Sequence, residues 1–456
     1  MPAALRSLCL WLLVCSAQPA VAAAALPLCP WDPTDSASLS TVVDVDKVWS
    51  GARVDFAGAV DGKQLVVGYY DQERWLTVAW YGADGQPVRR QRLPNQFAGW
   101  DSHNAIALAV DRFGLVHVAA NMHASALNYF RSTTPDGQLA PTRMTDSDSD
   151  LVTYPQFVTT RAGDLLFFYR AGRSGDGAWK VNRWDGTRWT RLNDGRPFLG
   201  DRGFGRSVSG YPSRFVMAAD GYFHLAIVWR LTTDAATNVR LSYAKTKDFV
   251  SWFDSRNKPL AFPVSAETAE TVLHTGPGKG LLNNAKVSLD PQGRPVIVFT
   301  RQDATGRNTV ELAIADQGQW RTILLNTAER GVDVKGTGSL PNTVALTDID
   351  FSHEGRPSLY HRFPGAAGVR EALDPATLLP RCTEKPAPEA MTALADRPLP
   401  TARPQVLAID RNATLVWSAQ PANQDQPRAC TDETPLACRP PPSTLKLVIT
   451  RREATP

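Results

Sequence analysis

The feature that most constrains this chain is a turn followed by an apolar strand, a unit that keeps returning along the sequence. It reads VDGKQLVVGYY, VDRFGLVHVAANMH, RAGDLLFFYR, ADGYFHLAIVWR, DPQGRPVIVFTR, HEGRPSLYHR and DRNATLVWS. The turn residues are Gly62, Gly114, Gly163, Gly221, Gly293, Gly355 and Asn412, at successive spacings of 52, 49, 58, 72, 62 and 57. Tight hairpin turns often need a positive φ, which glycine and asparagine tolerate. Further strands carry tryptophan, as in ERWLTVAWY, TRWTRL and GQWRTILL, while helical periodicity is scarce. A β-sandwich or β-helix fits this long regular period less well than radial repetition of small sheets. The repeat predicts an all-β fold, a seven-bladed β-propeller of four-stranded antiparallel blades in a single domain over 24–456. The Pro-rich stretch 364–405 is expected to be an excursion before the last blade, and TLKLVIT a closing strand.

The N-terminus has a different character. Arg6 precedes LCLWLLVC and then the small residues AQPAVAAAA, the layout of a secretory signal peptide ending near residue 23. Its apolar core is too short for a permanent membrane anchor. The expected location is secreted or periplasmic. Of six cysteines, Cys9 and Cys15 lie in that leader, leaving Cys29, Cys382, Cys430 and Cys438. Four cysteines in an exported chain predict two disulfides, with three pairings open. Cys29–Cys382 would tie the chain ends together and Cys430–Cys438 would close a small loop. No C-x-x-C spacing supports zinc binding by these thiols. A net charge of +4, without a basic stripe, argues against a nucleic-acid partner.

Aligned on the turn glycine, the central strands end in His123, Arg170, Arg230, Arg301 and Arg362. Walking back from the same glycine reaches His103, Tyr154, Tyr211 and Asn283 or Asn284. The residue before the first strand of a hairpin and the residue after the second lie at one end, opposite the turn. Equivalent ends of radial blades share one face. The pairs His103/His123, Tyr154/Arg170 and Tyr211/Arg230 therefore predict a cup of imidazoles, phenols and guanidiniums. Arginine forks suit a carboxylate or sulfate, and histidine or tyrosine can move a proton. His117, in mid-strand, reads as a packed residue. His274, His353 and His361 receive no role.

Several of these stretches resemble a known family. VDKVWSGARVDFAG, LVVGYYDQERWLTVAWY, SHNAIALAVDRFGLVHVAANMH, TYPQFV, DLLFFYRAGRSGDG and HLAIVWR are similar to segments of secreted BNR-repeat-containing proteins of polysaccharide-degrading bacteria, over about residues 40–365. Several members are propeller polysaccharide lyases, ulvan lyases among them, which cleave beside a uronic acid. The resemblance implies an anionic polysaccharide substrate and a site of two histidines, two tyrosines and an arginine, here His103, His123, Tyr154, Tyr211 and Arg170. Some relatives hold a structural zinc; a structural zinc or calcium is therefore open here, with His224 the candidate ligand, and no metal is expected to be required for the chemistry.

Elimination on a 4-linked uronate needs its carboxylate neutralised, a base for the C5 proton and an acid for the departing O4. Arg170 is the candidate neutraliser, helped by Asn104. His103 and Tyr154 are the candidate base and acid, in either order. His123, Tyr211 and Arg230 would bind and orient the sugar, and Arg173 would take a sulfate or second carboxylate. The alternatives are a glycoside hydrolase on the same fold, which needs two placed carboxylates, and a non-catalytic carbohydrate-binding propeller.

Overall fold

The computed structural model describes residues 26–29, 39–62, 64–145, 150–341, 343–352, 355–384 and 390–451. The expected leader and His353 lie outside the described residues.

The fold is all-β and built from four-stranded antiparallel sheets. The first runs Ala57–Val60, Gln64–Tyr70, Trp75–Gly82, Pro87–Gln96, and the second Ile106–Val110, Val116–Ala120, Tyr129–Arg131, Ala140–Pro141. Two more lie at Lys286–Leu289 to Gln319–Thr327 and at Ala345–Leu346 to Pro380–Glu384. Between the second sheet and these, an eleven-stranded sheet contains two antiparallel runs of four. One is Val152–Thr159, Leu165–Arg173, Asp176–Trp184, Trp189–Arg191; the other is Ser209–Pro212, Phe223–Arg230, Asn238–Thr246, Glu270–His274. A single parallel pairing, Gly177 with Ser209, joins them.

The last sheet settles the chain ends. Arg403–Ala408, Ala413–Ala419 and Ser443–Arg451 are completed by the N-terminal strand Leu39–Val48, with Val43 opposite Leu447. TLKLVIT is thus a closing strand, as expected. The two expected disulfides are present, and of the three open pairings the structure has Cys29–Cys382 with Cys430–Cys438. Main-chain bonds from Cys29 N–H to Thr383 O and from Thr383 N–H to Pro27 O lay residues 26–29 along Pro380–Glu384.

The stretch 364–405 departs from expectation. It contains the strands Val369–Leu373 and Pro380–Glu384, which complete an ordinary sheet. Its prolines fall largely outside those strands. The long excursion lies later, at 420–442, between Ala413–Ala419 and Ser443–Arg451.

The repeated turns form as the sequence predicts at glycine. Gly114 has φ +79° and Gly293 +76°. At each, an aspartate three residues earlier caps the turn: Asp111 Oδ1 accepts from the N–H groups of Phe113 and Leu115, and Asp290 Oδ1 from those of Gln292 and Arg294. This is the side-chain turn mimicry that favours aspartate there. Asn412 differs. It is not among the positive-φ residues, and Asp410 organises that turn instead, accepting from Asn412 N–H and Ala413 N–H.

Alternate strand residues of neighbouring sheets interdigitate. One cluster joins the first, second and last sheets through Val67, Trp80, Val118, Leu415 and Leu447. The leading strands pack in succession, Ala57–Val60 on Ile106–Val110 and that on Val152–Thr159. These contacts set the hairpin ends side by side.

Candidate active site

The hairpin of Ile106–Val110 and Val116–Ala120 pairs Ile106 with Ala120. His103 and His123 therefore emerge together, just beyond its open end. Their rings stack with centroids 4.0 Å apart. Asp101 clamps both: its Oδ1 lies 2.7 Å from His103 Nδ1 and its Oδ2 2.5 Å from His123 Nδ1. The same Oδ1 accepts the main-chain N–H of His103. Nε2 of each ring has no hydrogen-bond partner among the described residues.

His123 opens the short strand His123–Ser125, which leaves its own sheet and pairs with Val152–Thr159, His123 opposite Thr153. Thr153 also lies opposite Arg170. Just past it the register slips: Tyr154 and Pro155 face Tyr169 alone, since Gln156 pairs with Phe168. This is a β-bulge, a device that re-aims a side chain. Tyr154 holds φ +57° there, an unusual conformation for an aromatic residue that persists where surrounding contacts enforce it. Its ring lies 5.7 Å from His103, stacks on Trp179 at 6.1 Å, and meets Tyr211 edge-on at 6.2 Å.

Beneath Tyr154 sit two guanidiniums. Arg170, 1% exposed, lies 4.9 Å from the Tyr154 ring. It donates to Thr153 Oγ1 at 3.2 Å and to the Tyr211 hydroxyl at 3.4 Å, while its Nε has no partner. Arg230, also buried, donates to the same Tyr211 hydroxyl at 3.2 Å, to Asn238 Oδ1 and to Asn283 Oδ1. Ser174 Oγ completes the group, 2.7 Å from the Tyr211 hydroxyl. Among the described residues no carboxylate pairs with either arginine. Tyr154, Trp179, Tyr211 and Asn283 line a cavity of about 550 Å3 that continues past Arg214 and Lys286.

The charges reinforce one another. Burial works against the His103 imidazolium, yet Tyr154, Asp101 and Asp425 hold its pKa well above the usual histidine range. Burial also works against a Tyr154 phenolate, but His103, Arg170 and Arg230 outweigh it and pull the phenol below its ordinary value. For Asp101, burial is overcome by hydrogen bonds from both histidines, leaving the carboxyl well below the usual range. Each charge therefore favours the other: the His103 imidazolium promotes the Tyr154 phenolate, and the phenolate promotes the imidazolium.

The structure thus brings together His103, His123, Tyr154, Arg170, Tyr211 and Arg230. Of the alternatives Asn283 and Asn284, Asn283 faces the group, whereas Asn284 bonds Thr300 and Val344 O. Asn104 is buried behind His103, its amide donating to Asp101 O. Arg173 stands exposed where its hairpin turns back, opposite Asp176. Arg301 is tied to Glu311, and Arg362 is exposed. His117 is a packed residue, bonded to Tyr129 and near Asp111.

His224 lies apart from the group. It is the second residue of the strand that Arg230 ends, is buried, and has Nδ1 on the Tyr243 hydroxyl and Nε2 near Asp220. Both ring nitrogens already have partners, which leaves none for a metal. The donors nearest to sharing an ion are instead those of Asp101, His103, His123 and Asp425, all within 4.8 Å of one another. There the two Nδ1 atoms lie at hydrogen-bond distance from Asp101. The set fits a proton network.

Sequence reasoning gave no role to Asp101, Thr153, Ser174, Ser339 or Asp425. Asp101 carried a signal, two residues before a candidate histidine. The others carried none, because hydroxyls and acids are common in loops.

A family model described as "BNR repeat-containing family member" matches residues 65–328, more than half of the chain. The protein belongs to this family of repeat proteins. Its fold is similar to that of the polysaccharide lyase Uly1, at 14% identity with a TM-score of 0.55, over 87% of this chain and 90% of that one. It is also similar to a PL25 ulvan lyase, at 14% identity with a TM-score of 0.53, over 82% of this chain and 92% of that one. A structure of a PL25 ulvan lyase bound to -[GlcA(1-4)Rha3S]- matches to the same extent. At this identity the likeness is one of fold. No curated protein matches the sequence.

Proposed function

We propose that this protein is a secreted polysaccharide lyase that cleaves a uronic-acid-containing, ulvan-like polysaccharide by β-elimination. The observation that carries the reading is the pair of buried guanidiniums, Arg170 and Arg230, converging on the Tyr211 hydroxyl without a carboxylate partner. Desolvating an unpaired charge costs on the order of several kcal/mol. Such a pair is suited to a ligand that brings its own anion, and the uronate carboxylate is that anion.

The chemistry follows from the charges. With its carboxylate between Arg170 and Arg230, the sugar becomes a stronger carbon acid at C5, because the growing enolate charge is met by fixed donors. The Tyr154 phenolate, whose hydroxyl oxygen has no hydrogen-bond partner among the described residues, takes the C5 proton. The electrons form the C4–C5 double bond and the C4–O4 bond breaks. His103 gives its imidazolium proton, through Nε2, to the departing O4. Asp101 orients His103 and His123 through their Nδ1 atoms. Tyr211 positions the two arginines, and Arg173 at the rim takes a sulfate or second carboxylate.

Seven sets of four antiparallel strands, with the first and last strands of the chain in one sheet, support a seven-bladed β-propeller as the frame. The leader-like N-terminus and two disulfides support export. Among the described residues no helix is long and apolar enough to cross a membrane.

A glycoside hydrolase reading meets a specific obstacle. It needs a carboxyl whose pKa is raised so that it can act as an acid. The central carboxylate, Asp101, is held the other way and is committed to two histidines. The test is ultraviolet absorbance of the unsaturated uronate product on ulvan, desulfated ulvan, gum arabic and xanthan-type gums. New reducing ends without that absorbance would make it a hydrolase. Binding without cleavage would make it a lectin-like protein.

A further inference from the structure

The excursion at 420–442 reaches the site. Asp425 Oδ2 lies 3.5 Å from His103 Nδ1, and its Oδ1 accepts the Ser339 N–H at 3.1 Å. Ser339 in turn sets its Oγ 3.2 Å from His103 Nδ1, and its carbonyl accepts the Gln424 N–H. Two glycines permit the contact. A Cβ on Gly338 would stand 2.6 Å from Asp425 Oδ2, and one on Gly336 2.6 Å from Gln424 Nε2. Gln424 and Asp425 both adopt positive φ, 51° and 64°. Two successive non-glycine residues in that region are unfavourable, so the loop is held in this shape by its contacts.

We propose that Asp425 is a positioning residue for His103, the second of two carboxylates that hold its imidazole oriented and charged. This rests on His103 being the acid of the proposed elimination. Asp101 already takes the Nδ1 proton at 2.7 Å. At 3.5 Å Asp425 contributes charge rather than a good hydrogen bond, and Ser339 bridges the remaining gap. Two carboxylates beside one ring nitrogen repel each other unless the ring is cationic, so the arrangement selects the imidazolium. The charged and titratable groups facing His103 are Asp101 from its own turn, His123 and Tyr154 from neighbouring strands, and Asp425 from the loop. Arg170 and Arg230 lie behind Tyr154. Asp425 is only 16% exposed, with one oxygen on the Ser339 N–H and the other turned to the histidine.

The test is an NMR titration of the His103 ring in histidine-labelled protein, assigned with His103→Gln. In Asp425→Asn the His103 pKa should fall by about one unit, as expected for loss of one charge at this range. Asp425→Glu should restore part of the shift. The Cys430→Ser/Cys438→Ser variant, which frees the loop without touching the site, should move it in the same direction. In the activity profile, the alkaline limb of kcat should fall with the ring's pKa. A His103 titration unchanged in both Asp425→Asn and the cysteine variant overturns the proposal. The ring titrates whether or not the protein is a lyase. A shifted pKa with no cleavage of any polymer would therefore retain Asp425 and remove the elimination chemistry.

Discussion

The imidazole rings of His103 and His123 stack 4.0 Å apart, 20° from parallel, with one carboxylate, Asp101, bonded to Nδ1 of both. A single negative charge thus serves two rings that cannot both become cations cheaply at that distance. His103 is the better placed, since it also faces Tyr154 and Asp425. Asp101→Asn should lower the His103 pKa more than Asp425→Asn does, because it removes the shorter contact. Histidine NMR reads the difference directly.

Arg170→Ala should reduce kcat by at least about a hundredfold, the scale for losing a preorganised donor to a developing oxyanion. Arg170→Lys should not rescue it, because a point charge cannot replace a planar fork held between Thr153 and Tyr211. The thermal midpoint should fall only modestly, since relief of the uncompensated charge's desolvation cost offsets the packing lost with the side chain. Turnover and calorimetry on the same preparations separate the two effects. Near-normal turnover in Arg170→Ala would remove the mechanism.

Tyr154→Phe should cut kcat by about two to four orders of magnitude with KM nearly kept, because the ring still stacks on Trp179 while the proton acceptor is gone. A collapse in KM with kcat retained would instead make Tyr154 a binding residue.

The pH–rate profile should be a bell. His103 has a raised pKa, so its stabilising contribution is complete below the ordinary histidine value and is lost as pH rises through the folded one. Tyr154 has a depressed pKa, so its contribution is present above the ordinary phenol value and is lost as pH falls through the folded one. Turnover needs the imidazolium and the phenolate together, so it falls when either is lost. The two limbs are apparent values of the pair. His103→Gln should flatten the alkaline limb.

The two disulfides should differ in worth. Cys29 and Cys382 are 353 residues apart, Cys430 and Cys438 only 8. Chain entropy assigns about 6 kcal/mol to a loop as long as the first, as an upper figure, and about 2.5 kcal/mol to one as short as the second. Cys29→Ser/Cys382→Ser should therefore depress the thermal midpoint more than Cys430→Ser/Cys438→Ser. The latter should act mainly on His103.

Much of the site was legible in the sequence because hairpin geometry is local. His103 with His123, Tyr154 with Arg170, and Tyr211 with Arg230 each flank one hairpin, so a period-two strand and a glycine turn suffice to put them at one end. The same rule left Asn283 and Asn284 open, and only Asn283 faces the group. It also counted Arg301 with the cup, although Glu311 on the next strand already pairs with it. Periodicity tells where a side chain emerges and is silent about what awaits it there.

The sequence alone determined the repeat, the all-β class, the closing strand and which hairpin ends carry imidazole, phenol and guanidinium, because each depends on residues near one another in the chain. Only the tertiary structure decided that a bulge turns Tyr154 toward His103, that two arginines share Tyr211, and that Ser339, 236 residues from His103, and Asp425 reach the same ring nitrogen. Those depend on where separate loops land once the sheets have packed, and packing is a property of the whole chain.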